Sequence, residues 1–389
     1  MDSAALKAKV VERVAARRTD LDALSLAIHA KPELSFEERF ASKSLADYVA
    51  TSGAAVTRGA GGLETAFVSE SGKGGPLVAI LAEYDALPGV GHGCGHNLMG
   101  TASVAAYLAV REVLDGLPGR VRLIGTPAEE RGNGKAILIK AGLFKDVDAA
   151  MMFHAGDRDE IDPLMLAMVN LDVEFRGKAA HAAAEPHAGV NALDALLLAM
   201  GSVSALRQVV RTDSRIHGII TDGGLAPNII PERSAARFMV RSPDNAYLNE
   251  LKTRVLACFQ GAATATGCEL KASWSETCER VTTNAPLAEA FSRNAKSLGR
   301  TLDPRRQGDT HGSTDMGNVM SVVPGIHPFL AICDDGVPGH SHAFTQAAAT
   351  PRALETMRLA AAALAQTAID VLADPSLVRR AREAFDGGR

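Results

Sequence analysis

The chain of 389 residues carries 47 % hydrophobic residues, enough apolar side chains for two or three domains with buried cores. Its formal net charge of −4 and its 4 % of aromatic residues argue against a nucleic-acid partner, which would need a basic stripe or stacking platforms. The five cysteines are scattered and odd in number, which argues against a disulfide framework.

The N-terminal segment MDSAALKAKVVERVAARR indicates a charged amphipathic helix, without the apolar centre of a signal peptide. No uninterrupted apolar run reaches the length of a membrane span. We therefore expect a cytoplasmic protein without a membrane partner.

Short apolar runs alternate with helical patterns over residues 1–168, and a helix is predicted over residues 35–53. The runs are PLVAILAEYD, RVRLIGTPAEE, DAAMMFHAG and, near the C-terminus, HPFLAICDDG. Such runs, each ending in polar or glycine-rich residues, are typical of strands buried on both faces of a mostly parallel sheet. The pattern predicts an α/β domain.

Residues 169–279 follow a different pattern. In LDVEFR (171–176), apolar and charged residues alternate, as in a strand with one solvated face. The order strand–helix–strand–strand–helix–strand that follows predicts a ferredoxin-like α+β domain. We expect this domain to be inserted into a catalytic domain formed by residues 1–168 and 280–389.

Histidine, cysteine and glutamate side chains follow the predicted strands. The loop ALPGVGHGCGHNLMG holds His92, Cys94 and His96, with glycines between them that let the backbone wrap closely around an ion. Later strand ends carry Glu129, Glu130, His154, His340 and His342. Each residue alone is more often an ordinary polar or buried side chain, but ligands bind at the carboxyl edge of α/β sheets. Mixed sulfur, nitrogen and oxygen donors favour zinc, manganese, cobalt or nickel over magnesium or calcium.

Adjacent glutamates at a strand end point in different directions. One carboxylate of Glu129–Glu130 can therefore bind an ion while the other faces a water molecule and accepts its proton. The pair predicts hydrolytic chemistry.

These motifs resemble the metallopeptidases that include carboxypeptidase G, aminoacylase, aminobenzoyl-glutamate hydrolase and the auxin-conjugate amidohydrolases. The resemblance covers nearly the whole chain, and GHGCGHN and GSTDMGNV point to the aminobenzoyl-glutamate hydrolase and β-alanyl-lysine dipeptidase branch. Its motifs are LAEYDALPGVGHGCGHN, GTPAEERGNGK, MMFHAG, FRGKAAHAAAEPHAGVNALDA, GGLAPNIIPERSAARFMVRS, GSTDMGNVMSVVPGIHP and GHSHAF.

The resemblance implies two divalent ions, zinc or manganese, with cobalt or nickel as further candidates. The implied ligands are Cys94, His96, Glu130, His154 and His340. Cys94 would bridge the ions, at a position where carboxypeptidase-like members carry aspartate. His342 lies near His340 and stays an alternative for the last ligand.

Further roles follow from the same resemblance. Glu129 would be the general base, Asp85 would orient a ligand from outside the metal shell, and His92 would lie in that outer layer. The inserted domain would serve as lid and dimerisation domain.

In the inserted domain, His181 would stabilise the oxyanion at the active site of the other subunit of a homodimer. Without the resemblance, a cap for the next helix is the commoner role of such a histidine. Asn228 and Arg241 would hold a substrate carboxylate, and His217 is placed with them in the substrate-binding group.

We therefore expect a metal-dependent hydrolase that cleaves the amide bond of a small N-acyl amino acid, dipeptide or aminobenzoyl-glutamate-like conjugate bearing a carboxylate. Hydrolytic deamination of an aromatic amine on the same site is one alternative. A non-catalytic small-molecule-binding protein is another, although Glu129 and the ligand set argue against it.

Overall fold

The computed structural model describes residues 3–306, 308–309 and 312–388, and the chain divides into two compact units. The first unit comprises Met1–Leu164 and Val281–Arg389, and the inserted unit comprises Met165–Arg280. The helices are α1 (Ser3–Ala16), α2 (Arg18–His29), α3 (Arg39–Thr51), α4 (His96–Arg111), α5 (Gly134–Lys140), α6 (Ala192–Leu206), α7 (Asn245–Thr266), α8 (Ala285–Ser297), α9 (Met316–Met320), α10 (His342–Ala347), α11 (Pro351–Ala373) and α12 (Pro375–Gly387). The strands are β1 (Thr57–Arg58), β2 (Phe67–Lys73), β3 (Leu77–Ala82), β4 (Gly119–Gly125), β5 (Ala149–Met151), β6 (His154–Gly156), β7 (Ala167–Arg176), β8 (Arg215–Asp222), β9 (Arg233–Ser242), β10 (Glu269–Trp274), β11 (Gly325–Ile326) and β12 (Phe329–Ala331).

A six-stranded sheet forms the centre of the first unit, in the order β1–β2–β4–β3–β5–β11. The strands from β4 to β11 are parallel, and β1 and β2 extend the sheet in the antiparallel sense. Every residue of β3, with the sequence LVAILA, is buried, because helices cover both faces of a central parallel strand. The predicted mostly parallel α/β sheet is confirmed.

Three details predicted for the first domain were wrong. The run HPFLAICDDG contributes β12 to a separate two-stranded sheet and not to the main sheet. The run DAAMMFHAG is not one strand: it divides into β5, in the main sheet, and β6, which pairs with β12 in a separate two-stranded sheet. His154 therefore begins a strand of the small sheet and does not end a strand of the main one. The helix predicted over residues 35–53 starts later, at Arg39, and the residues before it form a loop.

Long apolar helices pack around the main sheet. In α4 the residues from His96 to Val110 are all buried, and α11 packs against it. By length and composition alone, Ala192–Val209 and Pro351–Ala373 could each cross a membrane. Most of the second stretch is buried, and core helices pass the same test.

The inserted unit is an antiparallel sheet in the order β10–β7–β9–β8, with α6 and α7 packed together against it. Along β7, buried residues alternate with more exposed ones, so one face forms the core with the two helices. Chain order and sheet order are those of a ferredoxin-like fold, which confirms the predicted α+β domain. Strand β8 lies at the edge of this sheet.

Candidate metal centre

The loop between β3 and α4 lies in close contact with β6 and with the loop that carries His340. Gly95 has a φ of 73°, and a Cβ atom there would lie 2.7 Å from the Cβ of Ala155. A Cβ atom on Gly93 would lie 3.2 Å from the Cα of His340. The absence of side chains on these glycines thus permits a close approach to β6 and to the loop that carries His340.

Cys94 belongs to two sets of donor atoms. One atom each from Cys94, His96 and His154 lie within 4.8 Å of one another, and the same holds for Cys94, Glu130 and His340. Cys94 is buried, and that burial raises the pKa of its thiol. The Cys94 thiol is thus shared by a set with two imidazole nitrogens and a set with one carboxylate oxygen and one imidazole nitrogen.

The structure distinguishes the two C-terminal histidines. His340 Nε2 lies 3.7 Å from Glu130 Oε2, and the His340 amide donates to the carbonyl oxygen of Gly93 over 3.0 Å. A φ of 59° at His340 turns the chain there. His342 is exposed on the first turn of α10 and belongs to none of the donor sets found among the described residues.

Asp85 connects two of these donors. Its Oδ1 lies 3.2 Å from His96 Nδ1, while its Oδ2 accepts the Glu130 amide at 3.0 Å and the Ser35 hydroxyl at 2.7 Å. Burial opposes ionisation of this carboxyl, but its contacts with His96, Ser35 and the Glu130 amide outweigh burial and lower its pKa to about 2. His96 Nδ1 also lies 2.9 Å from the main-chain carbonyl oxygen of Asp85, so Asp85 contacts this ring through its side chain and its backbone.

His154 is oriented by its own surroundings. Its Nδ1 donates to the carbonyl oxygen of Ala155 over 2.6 Å, so Nε2 is the nitrogen that can present a lone pair to an ion. The ring stacks on Phe329 at 4.4 Å, and the ring of His327 stands at 5.3 Å and perpendicular to it. His327 is fully buried and was not predicted from the sequence.

His92 lies outside the donor sets found in the described part of the chain. Its ring is buried and stacks on His29 at 6.1 Å. Burial, together with the neighbouring His96 and His29, lowers the pKa of His92 to about 3, so this ring is neutral at pH 7.

A buried charge cluster lies next to Glu129 and was not predicted. Lys135 donates to Glu83 and, over 2.6 Å, to Asp315, and all three side chains are fully buried. One oxygen each of Glu83, Glu129 and Asp315 lie within 4.8 Å of one another. Burial raises the pKa of Glu129, and the charges of Glu83 and Glu130 raise it further.

Two pairs of the residues predicted to bind substrate lie together in the inserted unit. The Ala182 amide donates to the carbonyl oxygen of Asn228 over 3.0 Å, so the loops of His181 and Asn228 are neighbours. His181 Nδ1 accepts the amides of Ala183 and Ala184 at 3.2 and 3.1 Å. The ring proton therefore sits on Nε2, which can donate to a substrate oxygen.

The second pair is His217 and Arg241, on the adjacent strands β8 and β9. Burial and the charge of Arg241 lower the pKa of His217. Arg237, on the same strand as Arg241, forms an ion pair with Asp172 at 2.7 Å. Arg241 is half-buried and has no carboxylate within ion-pair distance among the described residues.

The peptidase family M20/M25/M40 matches residues 79–369. The Xaa-Arg dipeptidase of Mus musculus is 41 % identical over 98 % of this chain and 92 % of its own length. A p-aminobenzoyl-glutamate hydrolase polypeptide of Escherichia coli is 34 % identical over 69 % of this chain and 60 % of its own length.

Solved structures share the fold. A dinuclear metal-binding M20 peptidase from Bacillus subtilis has a TM-score of 0.71 at 21 % identity, over 92 % of this chain and 99 % of that one. An aminobenzoyl-glutamate utilization protein from Klebsiella pneumoniae has a TM-score of 0.74 at 18 % identity, over 93 % of this chain and 98 % of that one. The resemblance inferred from the sequence is confirmed: this chain belongs to peptidase family M20/M25/M40 and is a metal-dependent amidohydrolase.

Proposed function

We propose that this enzyme hydrolyses the amide bond of a small N-acyl amino acid or dipeptide that carries a free carboxylate. The observation that carries the proposal is the membership of Cys94 in both donor sets, which provides for two ions. The proposed ligands are Cys94, His96, Glu130, His154 and His340.

The donors fit such ions. His96 Nε2 and Glu130 Oε1 are buried and make no hydrogen bond within the described part of the chain, as expected of atoms that bind a cation. Thiolate, imidazole and carboxylate together favour zinc or manganese, with cobalt or nickel as alternatives. Bound there, the ions would polarise the amide carbonyl and lower the pKa of water toward about 7.

Glu129 is the proposed general base. A carboxylate oxygen of Glu129 takes a proton from the attacking water and passes it to the nitrogen of the leaving amine. This role is supported by the position of Glu129, which neighbours Glu130 in the chain and shares a donor set with it and His96. Asp85 holds His96 and the Glu130 amide in place during this transfer.

The inserted unit supplies the proposed substrate contacts. Arg241 offers a fork of N–H donors without a carboxylate partner among the described residues, and Asn228 and His217 add polar contacts to the substrate carboxylate. His181 donates from Nε2 to the oxyanion. We propose that His181 acts in the other subunit of a homodimer.

Exposed apolar residues of the inserted unit support the dimer. Leu197 and Leu198 on α6 and Ile219 and Ile220 on the edge strand β8 are between 41 % and 64 % exposed. An unpaired edge strand with apolar side chains is usually covered in a native protein. We propose that a second copy covers it, that the inserted unit serves as lid and dimerisation domain, and that the enzyme acts in the cytoplasm.

The names of the relatives define the substrates to test. Both an Xaa-Arg dipeptide and aminobenzoyl-glutamate place a free carboxylate on the amine side of the amide bond. Arg241, which has no ion-pair partner in the described part of the chain, suits that carboxylate.

A hydrolysis screen tests the proposal. N-acetyl amino acids, Xaa-Arg dipeptides and aminobenzoyl-glutamate are incubated with the protein and zinc, manganese or cobalt, and the products are identified by mass spectrometry. We expect a carboxylic acid and a free amino acid in equal amounts. Ammonia without a free amino acid would indicate deamination. Substrate binding without turnover by protein that holds both ions would indicate a non-catalytic member.

A further inference from the structure

An open cavity of about 420 Å³ lies beside the candidate metal centre, within the first unit. Its apolar wall is formed by Leu34, Phe36, Ala86 and Pro88, and Glu130 also lines it. This volume falls within the range of about 300–1,000 Å³ that small-molecule sites occupy. The lining of the cavity thus includes a proposed ion ligand and several apolar side chains.

Hydrogen bonds connect the apolar wall to the residues of the candidate metal centre. Ser35 Oγ donates to Asp85 Oδ2 over 2.7 Å, and Asp85 contacts His96. Glu38 Oε1 accepts the Phe36 amide at 2.8 Å and the Ala128 amide at 2.9 Å. One buried carboxylate therefore connects the cavity wall to the residue that precedes Glu129.

Phe36 takes an unusual conformation in this wall. Its φ is 67°, a left-handed value that a bulky side chain rarely adopts, and its side chain remains 40 % exposed. A Cβ atom on Gly132 would lie 2.4 Å from the Phe36 ring, so the ring rests directly on the glycine backbone. Strained conformations persist at binding sites when the surrounding structure holds them. Here the hydrogen bond from Phe36 to Glu38 and the contact with Gly132 hold the ring at the cavity.

We propose that this cavity binds the side chain on the acyl side of the scissile amide, and that it selects an uncharged, apolar side chain. The inference rests on the proposed function, in which Arg241 and Asn228 hold the carboxylate on the amine side. In that arrangement, the side chain on the acyl side would bind at the surface beside Glu130. The exposed Glu37 and Arg131 also line the cavity and carry opposite charges, so together they favour neither an acidic nor a basic side chain.

The test compares two substrates that share one amine, N-acetyl-arginine and leucyl-arginine with its amino group acetylated. The measured quantity is the ratio of kcat/KM for the bulky substrate to kcat/KM for the small one. We expect a ratio above one in the wild type. It should fall roughly tenfold in Phe36→Ala, which removes wall contact, and in Leu34→Trp, which fills the cavity. Leu26→Ala is the matched control, because Leu26 is similarly exposed, at 37 %, but lies on α2 away from the cavity.

Binding measurements separate this inference from the proposed function. The hydrolysis screen above decides the proposed function. If the wild type cleaves neither compound, calorimetry with the same two compounds and variants still tests the cavity through the ratio of Kd values. Ratios that stay within twofold of wild type in both folded variants would overturn the inference. A wild-type preference for the acetyl compound would overturn it as well. Since the two variants act in opposite steric directions, a folding failure of one leaves the other as the test.

Discussion

The ammonium of Lys135 lies 2.6 Å from Asp315 Oδ1 in a part of the protein that solvent does not reach. Glu83 accepts a second hydrogen bond from the same ammonium, and Glu129 lies in the same carboxylate cluster. Lys135 is thus the cation that balances a buried group of acids next to the proposed general base.

Lys135→Met should destabilise the fold, because it leaves Glu83 and Asp315 buried without their cation. Removing one partner of a buried ion pair costs about 3–5 kcal/mol. Urea unfolding measures the change, and Lys145→Met, at an exposed lysine, is the control. Adding Asp315→Asn to Lys135→Met should recover part of the loss. A single variant within about 1 kcal/mol of the wild type would show that Lys135 does not balance these charges.

Glu129→Gln should keep both ions and lose most turnover, because it removes proton transfer while conserving size and shape. General base catalysis contributes on the order of 100-fold or more to kcat. Steady-state kinetics measures kcat and elemental analysis measures the ion content of the same preparation. Near wild-type kcat in protein with full ion content would rule out Glu129 as the base.

Arg241→Ala should raise KM for substrates with a carboxylate and change kcat less. The loss of a charge-assisted bidentate contact is worth about 1.5–3 kcal/mol, which is roughly 10- to 150-fold in binding. Arg237→Ala is the control, because Arg237 lies on the same strand but is paired with Asp172. An analogue with an amide in place of the carboxylate should respond weakly to Arg241→Ala. Equal losses on both substrates would mean that Arg241 is structural.

His181→Ala and Glu129→Gln, each nearly inactive alone, should complement each other when subunits exchange. A heterodimer would contain one site with an intact Glu129 and an intact His181 from the other chain. Random exchange makes about half of the dimers mixed, each with one good site of two, so about a quarter of wild-type activity should return. Background activity after verified exchange, measured by mixed isotopic labelling, would show that His181 does not act across the dimer.

The sequence predicted the local elements well where the hydrophobic period was clear. Strand β3 is uniformly apolar and β7 alternates, and both were placed correctly. These features depend on neighbours in the chain, so local patterns reveal them.

Long-range features were harder to predict. Lys135 and Asp315 are 180 residues apart, and each alone looks like a surface charge in a motif. The break between β5 and β6 reflects pairing with β12, which the run DAAMMFHAG does not encode. Polar residues within otherwise apolar motifs, as in LAEYD and GSTDMGNV, were the available signal for the buried charges.

We propose that two ions share Cys94 and that amide hydrolysis depends on them. The most direct test removes the ions by chelation and then returns manganese or zinc stepwise. Ion content and hydrolysis are measured at each step. The wild type, Cys94→Ser and the control Cys333→Ser are compared. Our account predicts two ions per chain and restored hydrolysis in the wild type and in Cys333→Ser, since Cys333 is outside the donor sets found in the described residues. Cys94→Ser should hold fewer than two ions, because a weak hydroxyl replaces the thiolate. Two tightly held ions in Cys94→Ser, or full hydrolysis by the chelated wild type, would contradict the account.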